Sequence, residues 1–546
     1  MVNEIVCLFN AGGHRPPAVG GRGTMFPRFF YPCYTPASGS MKYLWNGCLR
    51  QNSGKDNRQE VPEGDTAISR RSKTAGTGRY ELPTPEGSQH GYSFRCDPSG
   101  VRIHRRHFRW SALRSDHRLI AVSPPGTKIS PRFNFVYEMA CTEMACTMIV
   151  LVLLLPLLLA ADWPRYLGPN RDGHSAETKL NWDWKNAPPK PIWAIDVGTG
   201  FAGVAVAGGK VFLFHRIGNE EILIALDPAT GKEVWKFAYP TRYRDDFDFD
   251  NGPRCVPLVE GETVFTYGAD GDLQAVEAAT GKPRWAKNLL KEYAPKKGYF
   301  GIGSGPILLD GKLLVNVGAK GAGIVAFDPA TGKELWKCSD DGPSYSTPTT
   351  MTLEGKPHAV FFTRAGLLVV NAAGQVKQSF PWRARIDASV NAATPLVHEG
   401  SIFLSTSYNV GAILLKPEGN ELTEVWKSDK SLSCHYNTPV RVGEYLFGID
   451  GRQEGGGARL RCVAWKTGDV KWSVEKFGCA SLIAVDGGIL ALTESGDLVG
   501  FDASEKAFAE RGRVSLLKGT VRAAPVLSDG RLYVRNEKQL VSVGLK

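Results

Sequence analysis

The sequence predicts an all-β protein, an eight-bladed β-propeller of four-stranded antiparallel blades. First, six tryptophans recur at intervals of 50, 51, 46, 44 and 46 residues. Second, short apolar segments separated by turn residues recur with the same period, which is typical of repeats of about 40–50 residues made of strands. The recurring tryptophans are Trp235, Trp285, Trp336, Trp382, Trp426 and Trp472.

Each repeat has the same order of elements. A short segment around a proline opens it, as in CVPLV at 255–259, and a turn such as Asp310-Gly311 leads into an apolar second strand. A third strand precedes a turn of the type DPATG (227–231), and the fourth strand ends in tryptophan. Glycine supplies the positive φ that such a turn needs. The glycines at this position are Gly231, Gly281, Gly332 and Gly468.

We interpret the tryptophans as structural residues. A large ring on the outermost strand can fill the wedge between neighbouring blades and bury roughly 150–250 Å². A ligand would not need one tryptophan in every blade, whereas a stacked repeat does.

The count of eight includes two blades that lack the terminal tryptophan. The seventh spans about 478–516, and the eighth, at about 520–545, supplies only three strands. The segment PIWAIDVG (191–198) has the outer-strand pattern, with Trp193 in the tryptophan position. We therefore expect it to complete the last blade and close the ring, which removes two exposed sheet edges.

The chain is expected to have four parts. Residues 191–546 form the propeller, and 162–190 are a lead-in to it. Residues 144–161 are an apolar run ending in small residues, which resembles the core of a secretory signal peptide. Residues 1–143 show no repeat, and we expect them to be a start-site error or, alternatively, a disordered basic tail.

Charge is concentrated in the N-terminal part. Residues 1–143 hold 20 Lys and Arg against 11 Asp and Glu, whereas 162–546 hold 46 against 44. Because the propeller is nearly neutral, we expect no nucleic-acid partner. We expect a monomer exported to the periplasm or cell envelope, without a stable membrane span once the signal is cleaved, and with other envelope proteins as partners.

One acidic stretch raises the question of a metal site. Asp246, Asp248 and Asp250 alternate like the start of a calcium loop. Asn251 stands where that loop needs glycine, however, and Pro257 where it needs the closing glutamate. We therefore expect a solvated loop between blades and no metal, with calcium as the alternative.

Candidate ligand contacts follow from the geometry of a propeller. The entrances of the inner strands converge on the central channel, so polar residues beside the recurring prolines are the best candidates. The alternative is that these residues satisfy one another and channel water. They are Arg254, Tyr345, Asn391, His435, Tyr436, Asn437 and Arg522.

The repeat resembles a known family. The pattern A-x-D-x-x-T-G-K-x-x-W at 225–235 and 326–336 is similar to the pyrroloquinoline-quinone (PQQ) repeat of quinoprotein alcohol dehydrogenases. It also resembles the outer-membrane assembly lipoprotein BamB, a non-catalytic eight-bladed propeller. The segment DWPRYLGPNRDG (162–173) resembles the mature N-terminus of exported PQQ-like propellers of planctomycetes.

The resemblance implies the fold over 162–546 but not an activity, because one fold serves many functions. Quinoprotein alcohol dehydrogenases clamp PQQ between a tryptophan and a disulfide of adjacent cysteines, and they also hold calcium. This chain has no adjacent cysteine pair and no CxxC. We therefore expect a non-catalytic binding or assembly scaffold without a cofactor; the alternative is an oxidoreductase that uses PQQ and calcium, or another cofactor, at a divergent site. The propeller cysteines are Cys255, Cys338, Cys434, Cys462 and Cys479.

Overall fold

The computed structural model describes residues 162–546 apart from 297, 299, 385, 387–389 and 420, together with two short upstream strands. These strands, β1 (Arg114–Ser115) and β2 (Arg118–Leu119), pair antiparallel. They belong to a first compact unit, Met1–Val122, and all the other strands belong to a second, Ser123–Lys546. The expected signal segment 144–161 and the rest of 1–143 lie outside the described residues.

The predicted eight-bladed propeller is confirmed. In the described chain from 162 onward, the strands form eight four-stranded antiparallel sheets. Strand β3 (Pro191–Asp196) is the first strand of the propeller. The first blade consists of β4 (Val204–Ala207), β5 (Lys210–Ile217), β6 (Glu220–Leu226) and β7 (Glu233–Pro240), and the second of β8 (Leu258–Glu260), β9 (Thr263–Tyr267), β10 (Asp272–Glu277) and β11 (Pro283–Asn288). The third blade consists of β12 (Ile307–Leu309), β13 (Lys312–Ala319), β14 (Ala322–Phe327) and β15 (Glu334–Cys338), and the fourth of β16 (Thr349–Leu353), β17 (Lys356–Phe362), β18 (Gly366–Asn371) and β19 (Val376–Pro381).

The last four blades follow the same order from the inner strand to the outer one. The fifth blade consists of β20 (Leu396–His398), β21 (Ser401–Thr406), β22 (Gly411–Glu418) and β23 (Glu421–Ser428), and the sixth of β24 (Val440–Val442), β25 (Tyr445–Asp450), β26 (Arg459–Ala464) and β27 (Val470–Val474). The seventh blade consists of β28 (Ala480–Val485), β29 (Gly488–Thr493), β30 (Asp497–Asp502) and β31 (Glu510–Ser515). The eighth consists of β32 (Val526–Ser528), β33 (Arg531–Arg535) and β34 (Gln539–Gly544), and β3 completes it.

Ring closure by the N-terminal strand is also confirmed. Strand β3 pairs antiparallel with β34, with Trp193 opposite Ser542 and Asp196 opposite Gln539. The eighth sheet therefore has the order β3-β34-β33-β32, and its outer strand comes from the start of the propeller.

The strand sequences follow from their place in a blade. A middle strand packs against the blades on both sides, so its side chains are apolar on both faces, as in AGIVAF of β14, which is buried throughout. An outer strand has one face toward solvent and alternates, as in EVWKFAYP of β7. In six blades a proline directly precedes the inner strand, where no ladder hydrogen bond is needed.

Helix is scarce in the described residues. A five-residue helix, α1 (Leu289–Tyr293), follows β11, and the Asn288 side chain caps it by accepting a bond from the Lys291 N–H. A 3₁₀ turn covers Glu454–Gly456. Among the described residues, no helix has the length and apolar character that crossing a membrane requires.

The tryptophan of an outer strand packs on the turn of the next blade. The Trp285 Nε1 donates to the Pro329 carbonyl over 2.9 Å. A Cβ added to Gly332 in that turn would lie 2.8 Å from the Trp285 ring, so only glycine allows this close approach. The same bond joins Trp193 to Pro228, Trp235 to Ala278, Trp336 to Ala372, Trp426 to Trp465 and Trp472 to Ser504. The same glycine contact pairs Gly231 with Trp193, Gly281 with Trp235, Gly374 with Trp336 and Gly468 with Trp426.

Trp382 is the exception, and the prediction that it belongs to the outer strand of its blade is wrong. It follows β19 instead of lying in it. In the ladder, Gln378 pairs with Val369 just before the bulge, which is the register that Trp235 has with Ala225 in the first blade. The Gln378 amide donates to the Gly419 and Glu421 carbonyls over 3.3 Å, so it links to the next blade in the tryptophan's place.

The lead-in supplies the aromatic ring that the seventh blade lacks. Gly512 holds the tryptophan register in β31, opposite Gly500. A Cβ at Gly512 would lie 2.8 Å from Cβ of Trp184, which is buried there and stacks on Trp182 with ring centroids 6.0 Å apart. A segment before the propeller thus fills the gap beside blade seven.

The start of the lead-in crosses the ring of inner strands. Trp163 exchanges main-chain hydrogen bonds with Val206 in β4, the Pro164 carbonyl accepts from Val259 in β8, and His174 forms a bridge with Ala484 in β28. Val206 and Ala484 lie near the C-terminal ends of their inner strands. The connections between blades lead into the N-terminal ends of the inner strands. The lead-in therefore spans the channel at the end opposite these connections.

Candidate functional site

A cavity of about 230 Å³ lies at the channel end where the connections between blades enter the inner strands. Every blade contributes to its lining, and Tyr166 of the lead-in reaches it from the other end. Aromatic rings make up much of its wall. Apart from Tyr166, these rings are Phe201, Phe249, Phe300, Tyr345, Tyr408 and Tyr436.

Five of the seven residues proposed from the sequence line this cavity, and two do not. Asn391 is buried, and its amide donates to the Thr363 and Trp382 carbonyls, so it ties loops together. Asn437 is also buried and donates to the Ser481 hydroxyl over 3.3 Å. The five that line the cavity are Arg254, Tyr345, His435, Tyr436 and Arg522.

Arg254 is engaged by its own loop. Its Nη2 donates to the Asp245 carboxylate over 2.5 Å and to the Asp250 carbonyl over 2.9 Å, and its Nη1 donates to the Gly252 carbonyl over 2.8 Å. The Asp245 side chain is fully buried, and that of Arg254 is 9% exposed. This ion pair therefore holds the loop 242–254 in shape, and both terminal nitrogens are already used.

Arg522 differs from Arg254 in its free donors. Its Nε donates to Glu494 Oε1 over 2.8 Å, while neither terminal nitrogen has a hydrogen bond within the described part of the chain. The guanidinium carbon lies 5.2 Å from the Phe201 ring centroid and 5.4 Å from that of Phe249, within cation–π range. Glu494, which is not a lining residue, thus holds the guanidinium through Nε, while Arg522 lines the cavity with both terminal nitrogens unbonded in the described chain.

His435 has both ring nitrogens engaged. Nδ1 lies 2.7 Å from Gln453 Oε1, which can only accept, so Nδ1 carries the proton. Nε2 then accepts from the Tyr408 hydroxyl over 3.2 Å. Burial lowers the pKa of His435, so the imidazole is neutral near pH 7 and offers the cavity an uncharged ring.

The remaining polar groups of the cavity are also largely satisfied. The Tyr345 hydroxyl accepts from the Phe300 N–H over 2.7 Å, and burial raises the pKa of Tyr345 to about 12. Burial likewise raises the pKa of Tyr436. Glu454 accepts from Arg452 Nε over 2.8 Å and from the Gln453 amide over 3.1 Å. These side chains therefore already have hydrogen-bond partners within the protein, in contrast to the terminal nitrogens of Arg522.

The acidic loop does not assemble a metal site. Asp246 and Asp248 are exposed, whereas Asp250 is buried and accepts from the Gly200 and Gly252 N–H groups. Asp250 therefore acts as a turn former that fixes the loop to the preceding connection. No cluster of three or more His, Cys, Asp or Glu suited to a metal ion occurs within the described residues.

The cysteines do not fit the sulfur half of a quinone clamp. All five propeller cysteines are free thiols, and none is next to another in sequence. Cys255 and Cys434 are buried, and burial raises the pKa of the Cys434 thiol to about 12, so it stays protonated and unreactive.

Sequence reasoning missed the aromatic rim of the cavity. Phe247 and Phe249 are half exposed, and their rings cluster with Phe300, with centroids 5.3–6.3 Å apart. An available signal was the alternation of aromatic and acidic residues in DDFDFD (245–250), because a solvated loop needs no phenylalanine.

The comparison with protein families is decisive for the fold and its repeats. A family model described as "Outer membrane protein assembly factor BamB" matches residues 184–295 and 218–474, which together cover more than half of the chain. The chain belongs to this BamB-like family of PQQ-repeat propellers.

The names of the chain's relatives describe different activities. This chain is 31% identical over 161 residues to quinoprotein alcohol dehydrogenase PedH of Pseudomonas putida, and the match covers 27% of this chain and 25% of that protein. It is 30% identical over 129 residues to the outer membrane protein assembly factor BamB of Burkholderia pseudomallei, covering 24% of this chain and 30% of that protein. The matched segments thus span only a quarter to a third of these relatives.

Two solved structures are similar to this chain at low sequence identity. BamB from Moraxella catarrhalis is 13% identical, with 65% of this chain and 99% of that chain covered at a TM-score of 0.49. A quinohemoprotein alcohol dehydrogenase from Comamonas testosteroni is 15% identical, with 70% and 80% covered at a TM-score of 0.40.

Proposed function

We propose that this BamB-like propeller is an exported, non-catalytic binding protein whose binding site is the cavity at the channel mouth. The observation that carries the proposal is the state of the polar groups there. Arg254, His435 and Glu454 are each committed to hydrogen bonds within the protein. A site of this kind can hold a ligand by shape and by aromatic contact, but it offers no free acid, base or nucleophile.

The alternative is a quinoprotein dehydrogenase, an activity that the name of PedH carries. A PQQ enzyme raises the electrophilicity of its quinone with a metal and holds the ring in a sandwich. Against this alternative, the propeller cysteines are separate and the acidic side chains of loop 242–254 are dispersed or used by main-chain N–H groups.

The test is a calorimetric titration of the full chain with PQQ and calcium, together with an oxidation assay on alcohols and sugars with an artificial electron acceptor. We expect no turnover. Micromolar or tighter PQQ binding accompanied by turnover would overturn the proposal in favour of the dehydrogenase.

We also propose export to the periplasm or cell envelope, with envelope proteins as partners. The apolar segment 144–161 and the family's description as an outer membrane protein assembly factor support this. N-terminal sequencing of protein from its native cells provides the test. A mature N-terminus near Ala161 or Asp162 is expected, and a secreted chain that retains residues 1–100 would contradict the signal assignment.

A further inference from the structure

The cavity at the channel mouth combines a mostly apolar wall with a single open cation. Its volume of about 230 Å³ suits a small organic molecule more than a protein segment. Phe249, Phe300 and Tyr345 form one continuous aromatic surface, with centroid distances of 6.2 Å and 5.7 Å between successive rings. Such rings favour a planar aromatic ligand in offset or edge-to-face contact.

The arginines of the cavity indicate which polar group the ligand carries. Of the two cavity arginines, Arg254 has both terminal nitrogens bonded within its loop. Arg522 lines the cavity and is held only through Nε by Glu494, so its two terminal nitrogens remain available as donors. A guanidinium edge of this kind matches the two oxygens of one carboxylate.

The same geometry argues against two other ligand classes. A neutral sugar needs many hydrogen-bond partners, but His435, Gln453 and Glu454 are bonded to one another or to their neighbours. A polyacid would place its further carboxylates beside aromatic rings, where no second arginine of the cavity has free terminal nitrogens. Each such carboxylate would be a buried, unpaired charge, which is costly.

We propose that this cavity binds a small aromatic monocarboxylate, with its carboxylate on the terminal nitrogens of Arg522 and its ring against Phe249, Phe300 and Tyr345. The proposal rests on the function proposed above and gives that binding site a ligand class. The ion pair with Glu494 keeps Arg522 oriented before the ligand arrives, so little side-chain entropy is lost on binding.

The test is a calorimetric titration of the full chain with 2-naphthoate, with its neutral analogue 2-naphthamide, and with naphthalene-2,6-dicarboxylate. We expect naphthoate to bind about ten- to a hundredfold more tightly than the amide, the usual effect of one charge-assisted hydrogen-bond pair. The dicarboxylate should bind no better than the monoacid. Failure of naphthoate to bind, or equal binding of the acid and the amide, would overturn the proposal.

Two pairs of variants locate the site. Arg522→Gln should abolish the preference for the acid, whereas Arg513→Gln, on the outer strand β31, should keep it. Phe249→Ala should weaken binding about three- to tenfold. Leu335→Ala, which removes an exposed apolar side chain on the outer strand β15 away from the cavity lining, should leave it unchanged. Equal effects within either pair would refute the assignment, provided that thermal melts show folded variants.

The outcomes for the ligand class and for the function are separable. If naphthoate fails while the PQQ assay is also negative, the ligand class is wrong and the non-catalytic binding protein stands. If PQQ binds with turnover, the function itself is wrong, whatever naphthoate does.

Discussion

The indole Nε1 of Trp285 donates a 2.9 Å hydrogen bond to the carbonyl of Pro329, and this bond ties the outer strand of one blade to the turn of the next. The ring lies against Gly332 of the same turn. Repeated around the propeller, this contact joins sheets that share no ladder, because each blade pairs strands only within itself.

Trp285→Ala is expected to lower the free energy of unfolding by about 3 kcal/mol, since it deletes a packed aromatic ring and leaves a cavity between blades. Urea denaturation followed by circular dichroism measures the change. Leu335→Ala, an exposed apolar residue on the next outer strand, is the control and should cost less than about 1 kcal/mol. A loss that small for Trp285 would mean that the ring does not hold the blades.

Gly332→Ala is expected to destabilise the protein more than Gly321→Ala. Both glycines have similar positive φ, 71° and 69°, so both variants strain the backbone by about 1–2 kcal/mol. Only at Gly332 does the new Cβ meet the Trp285 ring, whereas nothing lies within 4 Å at Gly321. Equal losses in urea denaturation would show that the contact with the ring is not tight.

Arg254→Met is expected to cost about 3 kcal/mol, because it leaves the buried Asp245 carboxylate without its cation. Arg522→Gln should cost less than about 1 kcal/mol, since Glu494 is 23% exposed and water can solvate it. Paired unfolding curves measure both changes. The reverse order would contradict the division into a structural arginine and a ligand-binding arginine.

Acid should destabilise the protein partly through His215. Burial first, and then the nearby Arg535 cation, lower its pKa from 6.5 to about 4. Between about pH 6.5 and pH 4 the unfolded chain takes up a proton that the folded chain refuses, so the free energy of unfolding falls as the pH falls. The loss across that window should reach about 3 kcal/mol.

The variant His215→Gln isolates this contribution, because it removes the titrating group. Its free energy of unfolding should fall by less than that of the wild type between about pH 7 and pH 4. Identical pH profiles for the two proteins would show that His215 does not hold a lowered pKa.

The propeller was predictable because its signal is repeated. The tryptophan period marks six units, and the strand pattern of 478–545 adds two more. The strand missing from 520–545 indicates a partner near Trp193. The same counting led to the error at Trp382, which keeps the period by coincidence. In four turns the glycine precedes the tryptophan by four residues, as in Gly332 and Trp336, and four residues after Gly374 stands Gln378.

The site was predictable only in outline. The convergence of inner-strand entrances gave the cavity and five residues that line it. It could not separate Arg254 from Arg522, because that difference depends on partners such as Asp245, whose approach only the folded loop creates. Trp184 was missed as a filler of the seventh blade because no local pattern links it to Gly512, more than three hundred residues further along the chain.

Closure of the eighth blade by β3 also constrains how the protein is made. The strand around Trp193 is the first strand of the propeller to be synthesised, whereas its partner β34 is the last strand of the propeller. Throughout synthesis, β3 has a free edge of the kind that promotes aggregation. Completion of the ring is the contact of greatest sequence separation in the propeller, so it is expected to form late and slowly. A chain truncated anywhere before β34 would leave β3 unpaired. The exposed edge of β3 would then distinguish an unfinished molecule from a complete one in the cell.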